Sequence, residues 1–207
     1  MIAATVVAGT VLQILGGCVV GTDQRSPTST KVEQMRAQGR VEFDLTSPPD
    51  REEAGLNPGS REVAYELLDR GPFQVRVRLP QGRELDFPAR LAVFDSIDAP
   101  DPQTGPPTTL DLHHYPESLE AGRDHLLAAA DDFGIDPAPI HQWYATASQG
   151  SPPQGPSTVR TPWLTTQVGY LQLEIQGRYA PPVDTPESDQ TLVHYSLTWQ
   201  AGGADQG

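Results

Sequence analysis

The residues of this chain with chemically reactive side chains are one cysteine, Cys18, and five histidines. The histidines are His113, His114, His125, His141 and His194. A nucleophilic cysteine needs a base beside it, and no histidine lies near Cys18 in the sequence. On a strand, His113 and His114 would point to opposite faces, so they could not bind one ion together. We expect His114 to be half-buried and the other histidines to be solvated; the alternative is a metal site in which His114 meets His125 or His141.

The motifs of common enzymes are absent from the sequence. It contains no G-x-S-x-G, H-E-x-x-H, C-x-x-C, Walker A or G-x-G-x-x-G pattern. Residues 95–108 carry Asp95, Asp98 and Asp101 among prolines, but they lack the alternating ligands and closing Glu of an EF-hand. We interpret them as a solvated acidic loop. The sequence therefore predicts a protein that is not an enzyme and that holds no cofactor and no metal.

The first residues of the chain have the pattern of an export signal. Residues 1–20 carry no charge and are mostly Ala, Val, Ile, Leu and Gly. Leu15, Gly16, Gly17 and Cys18 resemble the bacterial lipobox, in which a Leu three positions before an invariant Cys is followed by small residues. One departure is that no Lys or Arg precedes the apolar run. The resemblance covers residues 1–18 only and implies that Cys18 is acylated and becomes the mature N-terminus.

This resemblance leads us to expect a lipoprotein anchored in the cell membrane and facing outside the cytoplasm. Two alternatives stay open: a cleaved secretory peptide, and a transmembrane anchor, for which about 20 apolar residues suffice. Against the anchor, Gln13 interrupts the run and no basic cluster follows it. Because Cys18 is the only cysteine, the globular part has no internal disulfide.

Charge and composition limit the partners and the domain count. The net charge is −13, so the chain repels phosphate backbones and we expect no nucleic-acid partner. The domain organisation that we predict is a signal peptide at 1–17, a lipidated N-terminus and flexible tether at 18–39, one globular domain at 40–200 and a tail at 201–207.

Hydrophobic periodicity predicts an α+β fold. Alternating apolar residues indicate strands at residues 41–45, 73–79, 85–93, 109–115, 163–168, 171–179 and 193–199. A turn at residues 80–82 would join residues 73–79 and 85–93 as a hairpin, with Pro88 on an edge or bulge. Helical periodicity indicates helices at residues 60–68, 116–133 and 136–147. We expect an antiparallel sheet of about five to seven strands with two or three helices packed on one face.

The second of these helices has a clear apolar arc. Leu126 lies near its centre, whereas His125 lies outside it and is expected to face solvent. Gly134 is placed to end the helix in the left-handed conformation.

Aromatic residues give the best indication of a binding surface. Trp143, Tyr144 and Trp163 lie in the C-terminal part of the chain, where we predict that they contact a ligand or partner.

The function that we expect is a non-catalytic binding or assembly module of the cell envelope, with an envelope protein as its partner. The first alternative is a carrier of a small apolar or lipidic ligand, and the second is a hydrolase-like enzyme without a recognisable motif.

Overall fold

The computed structural model describes residues 30–67, 71–149, 158–180 and 190–199. The leader, Cys18 and the predicted tail lie outside these residues. The helices are α1 (Thr30–Gln38), α2 (Leu119–Phe133) and α3 (Ala138–Ser148). The strands are β1 (Arg40–Asp44), β2 (Glu62–Glu66), β3 (Phe73–Arg78), β4 (Glu84–Ala89), β5 (Leu91–Asp95), β6 (Thr109–His114), β7 (Val159–Arg160), β8 (Leu164–Val168), β9 (Leu171–Tyr179) and β10 (Thr191–Thr198).

Seven strands form one large antiparallel sheet. Their order is β2-β5-β6-β10-β9-β7, and β8 pairs with β9 beside β7. Strands β5, β9 and β10 alternate in burial because successive side chains point to opposite faces. With three helices in the described residues, the predicted α+β class with an antiparallel sheet is confirmed.

A second sheet of three strands packs on one end of the large one. Its order is β1-β3-β4, with β1 parallel to β3. Phe43 of β1 contacts Tyr65 and Phe94 of the large sheet edge-on, with ring centroids 5.0 and 4.9 Å apart. Phe87 of β4 stacks on Tyr195 of β10 at 4.9 Å. These rings occupy the core between the two sheets, where burial of aromatic surface is a major source of stability.

Helix α2 covers the other end of the same face. Ser118 caps its start by accepting a hydrogen bond from the Ala121 amide. Gly134 ends it at φ 66°, and the Ile135 amide donates to the Ala130 carbonyl as in a Schellman motif. The predicted apolar arc is confirmed at its centre, since Leu126 is 1 % exposed.

Close contact between α2 and the sheet depends on a glycine in β9. A Cβ atom built on Gly177 would lie 2.6 Å from Leu126 Cδ1. The absence of a side chain at Gly177 therefore lets the helix approach the strand directly.

Two predicted elements are wrong at the N-terminal side. Residues 60–68 are predicted to form a short helix, but Glu62–Glu66 is strand β2, which pairs with β5. Val63 and Tyr65 face the core in this pairing, so tertiary packing outweighs the helical spacing of Val63 and Leu67. The tether predicted over 18–39 is also too long, because Thr30–Gln38 is helix α1 and buries Val32 and Met35.

The predicted strand over residues 85–93 is two strands in two sheets. It breaks at Arg90, whose amide donates to the His113 carbonyl. Ala89 belongs to β4 and Leu91 to β5, and the break reverses the alternation, so Leu91 faces away from the core while Ala92 is buried. Pro88 lies on β4, an edge strand of the small sheet, as predicted.

Candidate functional site

The three aromatic residues predicted to form a binding surface do not lie together. Trp143 is only 2 % exposed, and its Nε1 donates to the Val159 carbonyl at 3.2 Å. Its place in the predicted surface is therefore wrong. Trp143 is the i+3 member of the i, i+3, i+4, i+7 apolar pattern of α3, and this side of the helix packs against the core.

Tyr144 and Trp163 lie on opposite sides of the large sheet. Tyr144 lies on α3, where its hydroxyl donates to Glu120 and the Arg123 guanidinium stacks on its ring at 4.4 Å. Trp163 is 42 % exposed and its ring is 5.1 Å from that of His194. His194 points away from the helices, because its strand neighbours Val193 and Tyr195 point towards the core.

We call the face of the large sheet that bears His194 the open face. The helices α2 and α3 and the small sheet pack on the other face, which we call the buried face. Strand pairing places Leu91, His113, His194 and Gln176 in one row across four strands of the open face. The next rows carry Val93, Asp111, Ser196 and Glu174 on one side and Leu192, Arg178 and Arg160 on the other.

At the centre of the open face two histidines lie beside a carboxylate. The ring centroids of His113 and His194 are 4.6 Å apart, and His194 Nε2 is 3.0 Å from Asp111 Oδ1. Burial lowers the pKa of His113 to about 4, so this imidazole is neutral at pH 7. Burial alone would raise the pKa of Asp111, but hydrogen bonds from His194 and Ser196 hold its pKa below the usual value. Asp111 is therefore a carboxylate that orients His194.

This arrangement is a dyad and not a catalytic triad. In a triad the serine donates to the histidine, which a carboxylate orients from its other side. Here Ser196 donates to Asp111 instead, so the carboxylate joins Ser196 and His194 and leaves the hydroxyl without a base. Within the described residues, no Ser, Thr or Cys side chain makes a hydrogen bond to a histidine. The dyad can donate, accept and orient hydrogen bonds to a bound molecule.

Two arginines lie directly opposite each other at one end of the open face. Arg160 of β7 pairs in register with Arg178 of β9. Neither forms a salt bridge with a carboxylate in the described part of the chain. Arg178 is half-buried, and its Nε is buried and has no hydrogen-bond acceptor among the described residues. Arg178 is also close enough to His113 to help keep the pKa of that imidazole low.

A second pair of histidines lies on the buried face. The rings of His114 and His125 are 4.4 Å apart, and His125 Nε2 and the Tyr195 hydroxyl are hydrogen-bonded at 2.7 Å. His114 Nδ1 lies 2.6 Å from the Pro88 carbonyl, which can only accept, so Nδ1 carries the proton. Burial is the main cause that lowers the pKa of His125 to about 4, and the electrostatic effect of the neighbouring His114 lowers it further.

The expectation that His113, His125 and His194 are solvated is therefore wrong. His125 is half-buried although it lies outside the apolar arc of α2, because the adjacent small sheet and Tyr195 close over its flank. His114 and His125 do lie side by side, as the alternative of a metal site required. However, no three His, Cys, Asp or Glu side chains of the described residues are arranged to hold a metal ion. His141 is exposed.

Surface cavities occur away from these residues. One of about 790 Å³ lies between α1 and the loop that follows β1, where its lining includes Lys31, Arg51 and Asn57. A smaller one of about 160 Å³ lies beside Phe43. Neither contains a histidine or tryptophan, so we place the candidate site on the open face.

The fold and this face together define a layered α+β protein that presents one side of a seven-stranded sheet. Comparison of the chain with protein families, with curated proteins and with solved structures found no match. None of the described helices combines the length and the apolar character that crossing a membrane requires.

Proposed function

We propose that this protein is a lipid-anchored module of the cell envelope that binds through its open face and does not catalyse a reaction. The observation that carries the proposal is the open face itself. It presents half-buried polar side chains and the exposed ring of Trp163 on a sheet whose other face is packed.

A sheet face that presents both apolar and polar side chains in fixed positions is suited to binding another molecule. Leu91, Val93 and Leu192 supply apolar contact within the same rows as the polar side chains, while Asp111 and His194 hold each other in a fixed geometry. Binding sites typically combine an apolar lining with a few placed polar groups, and Trp is enriched at binding hot spots. An envelope protein can dock on such a face.

A carrier of a small ligand is the second candidate, and one observation favours it. Arg160 and Arg178, which form no salt bridge within the described residues, lie near the two histidines, so polar groups are concentrated at one end of the face. A hydrolase has less support, because the Ser196 hydroxyl donates to Asp111 and no histidine of the described residues accepts a hydrogen bond from it.

The anchor is a separate part of the proposal, and it rests on the lipobox resemblance at Cys18. Replacing the thiol with a hydroxyl in Cys18→Ser removes the site of acylation. The full chain should then leave the membrane fraction or accumulate as a precursor. A wild-type protein that keeps its leader and has no lipid mass would contradict acylation.

The binding claim is tested by comparing Trp163→Ala with Tyr144→Ala. Both substitutions remove an aromatic ring that the sequence suggested for binding, but only Trp163 lies on the open face. Native mass spectrometry of the full chain purified from membranes should show a bound species in wild type and Tyr144→Ala, and lose it in Trp163→Ala. Equal retention in both variants, with folding intact by circular dichroism, would refute the open face as the site.

A further inference from the structure

The end of the open face that carries Arg160, Arg178, His113, His194 and Trp163 has properties that packing does not explain; we call these residues the Arg–His patch. Like charges placed directly opposite on neighbouring strands destabilise a sheet, and Arg160 lies directly opposite Arg178. The chain carries 27 acidic residues against 14 basic ones, yet neither arginine is paired with a carboxylate of the described residues. The patch therefore concentrates positive charge on a strongly acidic molecule.

An unsatisfied donor is the second unusual feature. Arg178 Nε is buried and has no acceptor within the described residues. A buried donor without a partner is costly, and guanidinium groups are matched by the two oxygens of a carboxylate or phosphate. An oxyanion bound between the terminal nitrogens of the two arginines would offset the like-charge repulsion.

The rings of Trp163, His194 and His113 indicate which kind of group would lie next to the oxyanion in a ligand. Trp163 is 5.1 Å from His194, and His194 is 4.6 Å from His113, which is close to Arg178. The three rings thus form one row, and Arg178 lies two residues along β9 from Gln176, the residue paired with His194. His194 is held by Asp111, the carboxylate that faces both histidines, so its imidazole keeps a fixed orientation.

We propose that the Arg–His patch binds the oxyanion group of a small ligand whose apolar, planar part lies against Trp163. This inference rests on the proposed binding function and names the chemistry of its ligand. The two arginines hold the oxyanion by charge-assisted hydrogen bonds, and the histidines border it. The shared chemistry is that of a carboxylate or a phosphate.

The test uses three probes and isothermal titration calorimetry on the full chain. Benzoate carries a carboxylate on a planar ring, benzamide has the same shape without the charge, and inorganic phosphate carries the oxyanion without the ring. Benzoate should bind at least about tenfold more tightly than benzamide, which is the effect of one good charge-assisted contact. Phosphate binding stronger than benzoate binding, with no ring to contribute, would identify the oxyanion as a phosphate. Benzoate binding stronger than both benzamide and phosphate binding would show that the oxyanion and the ring both contribute, as proposed. Equal affinity for benzoate and benzamide would overturn the proposal.

Matched variants show where the probe binds. Arg178→Gln should weaken benzoate binding at least about tenfold, and Arg61→Gln should leave it unchanged. Arg61 is an exposed arginine that precedes β2, at the opposite edge of the same sheet. Arg160→Gln, at an exposed position on the short strand β7, provides a second variant should Arg178→Gln fail to fold.

The two proposals fail in different ways. If Arg178→Gln and Arg160→Gln both bind benzoate like wild type, the oxyanion site is wrong. If the species retained from membranes still depends on Trp163 in that case, binding at the open face stands. If neither the arginine variants nor Trp163→Ala changes any binding, both proposals are refuted.

Discussion

Four histidines lie in two pairs on opposite faces of one sheet, and the two pairs have different environments. His113 and His194 are on the open face beside Asp111, while His114 and His125 are on the buried face beside Tyr195. The first pair is available to a bound molecule. The second is part of the packing between α2, β10 and the small sheet, which gives it a role in stability.

The hydrogen bond between Tyr195 and His125 yields a prediction at this scale. Tyr195→Phe keeps the ring but leaves His125 Nε2 without its partner in the core. We expect the free energy of unfolding to fall by about 1–3 kcal/mol. Tyr179→Phe, where the described residues provide no hydrogen bond to the hydroxyl, should change it by less than about 0.5 kcal/mol. Urea unfolding measures both, and equal losses would show that the Tyr195–His125 bond adds nothing.

Secondary structure could be predicted wherever one strong period governs a segment. The alternation of β9 and β10 and the arc of α2 are unambiguous, because one face of each element is apolar. Strand β2 could not be predicted, since a five-residue segment has too few positions to separate the two periods. The break at Arg90 could not be predicted either, because the sequence around it alternates on both sides and only the second sheet reveals the change of face.

The candidate site was predicted in part. Trp163 is exposed and beside His194, but no feature of the sequence distinguishes it from Trp143 and Tyr144, which pack with the helices. A signal for the open face existed: His113 and His194 both lie at outward positions of alternating strands. It could be interpreted only once the register brought β6 next to β10.

Packing of α2 on β9 gives a prediction at the scale of elements. Gly177→Ala places a methyl group against Leu126 and should cost about 1–3 kcal/mol through overpacking. Leu126→Ala should cost about 2–5 kcal/mol through the cavity that it leaves. In the double variant the methyl group fills part of that cavity, so the two losses should sum to more than the measured loss by about 0.5–3 kcal/mol. Chemical denaturation of the four proteins measures the difference, and strict additivity would contradict the contact.

For the whole molecule, the buried histidine predicts a loss of stability in acid. Burial and His114 hold the pKa of His125 at about 4, and the chain around it supplies Tyr195 as its hydrogen-bond partner. In the unfolded state a histidine has a pKa of about 6.5, so between about pH 6.5 and about pH 4 only the unfolded chain gains this proton. His125 alone should therefore leave the free energy of unfolding unchanged above about pH 6.5 and lower it by as much as about 3 kcal/mol towards pH 4. His113, whose pKa is lowered in the same way, adds a further loss over the same range.

Unfolding in urea at about pH 7.5, about pH 6 and about pH 4.5 measures this dependence. In His125→Gln the loss between these values should be smaller, because the substituted side chain does not titrate. His113→Gln serves as the companion variant, since His113 also has a lowered pKa but lies on the open face. A loss of the same size in His125→Gln as in wild type would show that other groups cause the acid sensitivity.

The described residues divide into a packed side, formed by the helices and the small sheet, and an open side on the large sheet. The net charge of −13 and the lipid anchor that we propose at Cys18 would together keep such a domain soluble at a membrane surface. The central claim is that binding occurs on that face.

Site-specific photo-crosslinking tests this claim most directly. Benzoylphenylalanine is introduced in place of Trp163 in one full-length protein and in place of Tyr144 in another, and each is irradiated in cells. The account predicts a crosslinked product of defined added mass at position 163 and none at position 144. A product at position 144 alone, or equal products at both positions, would contradict it.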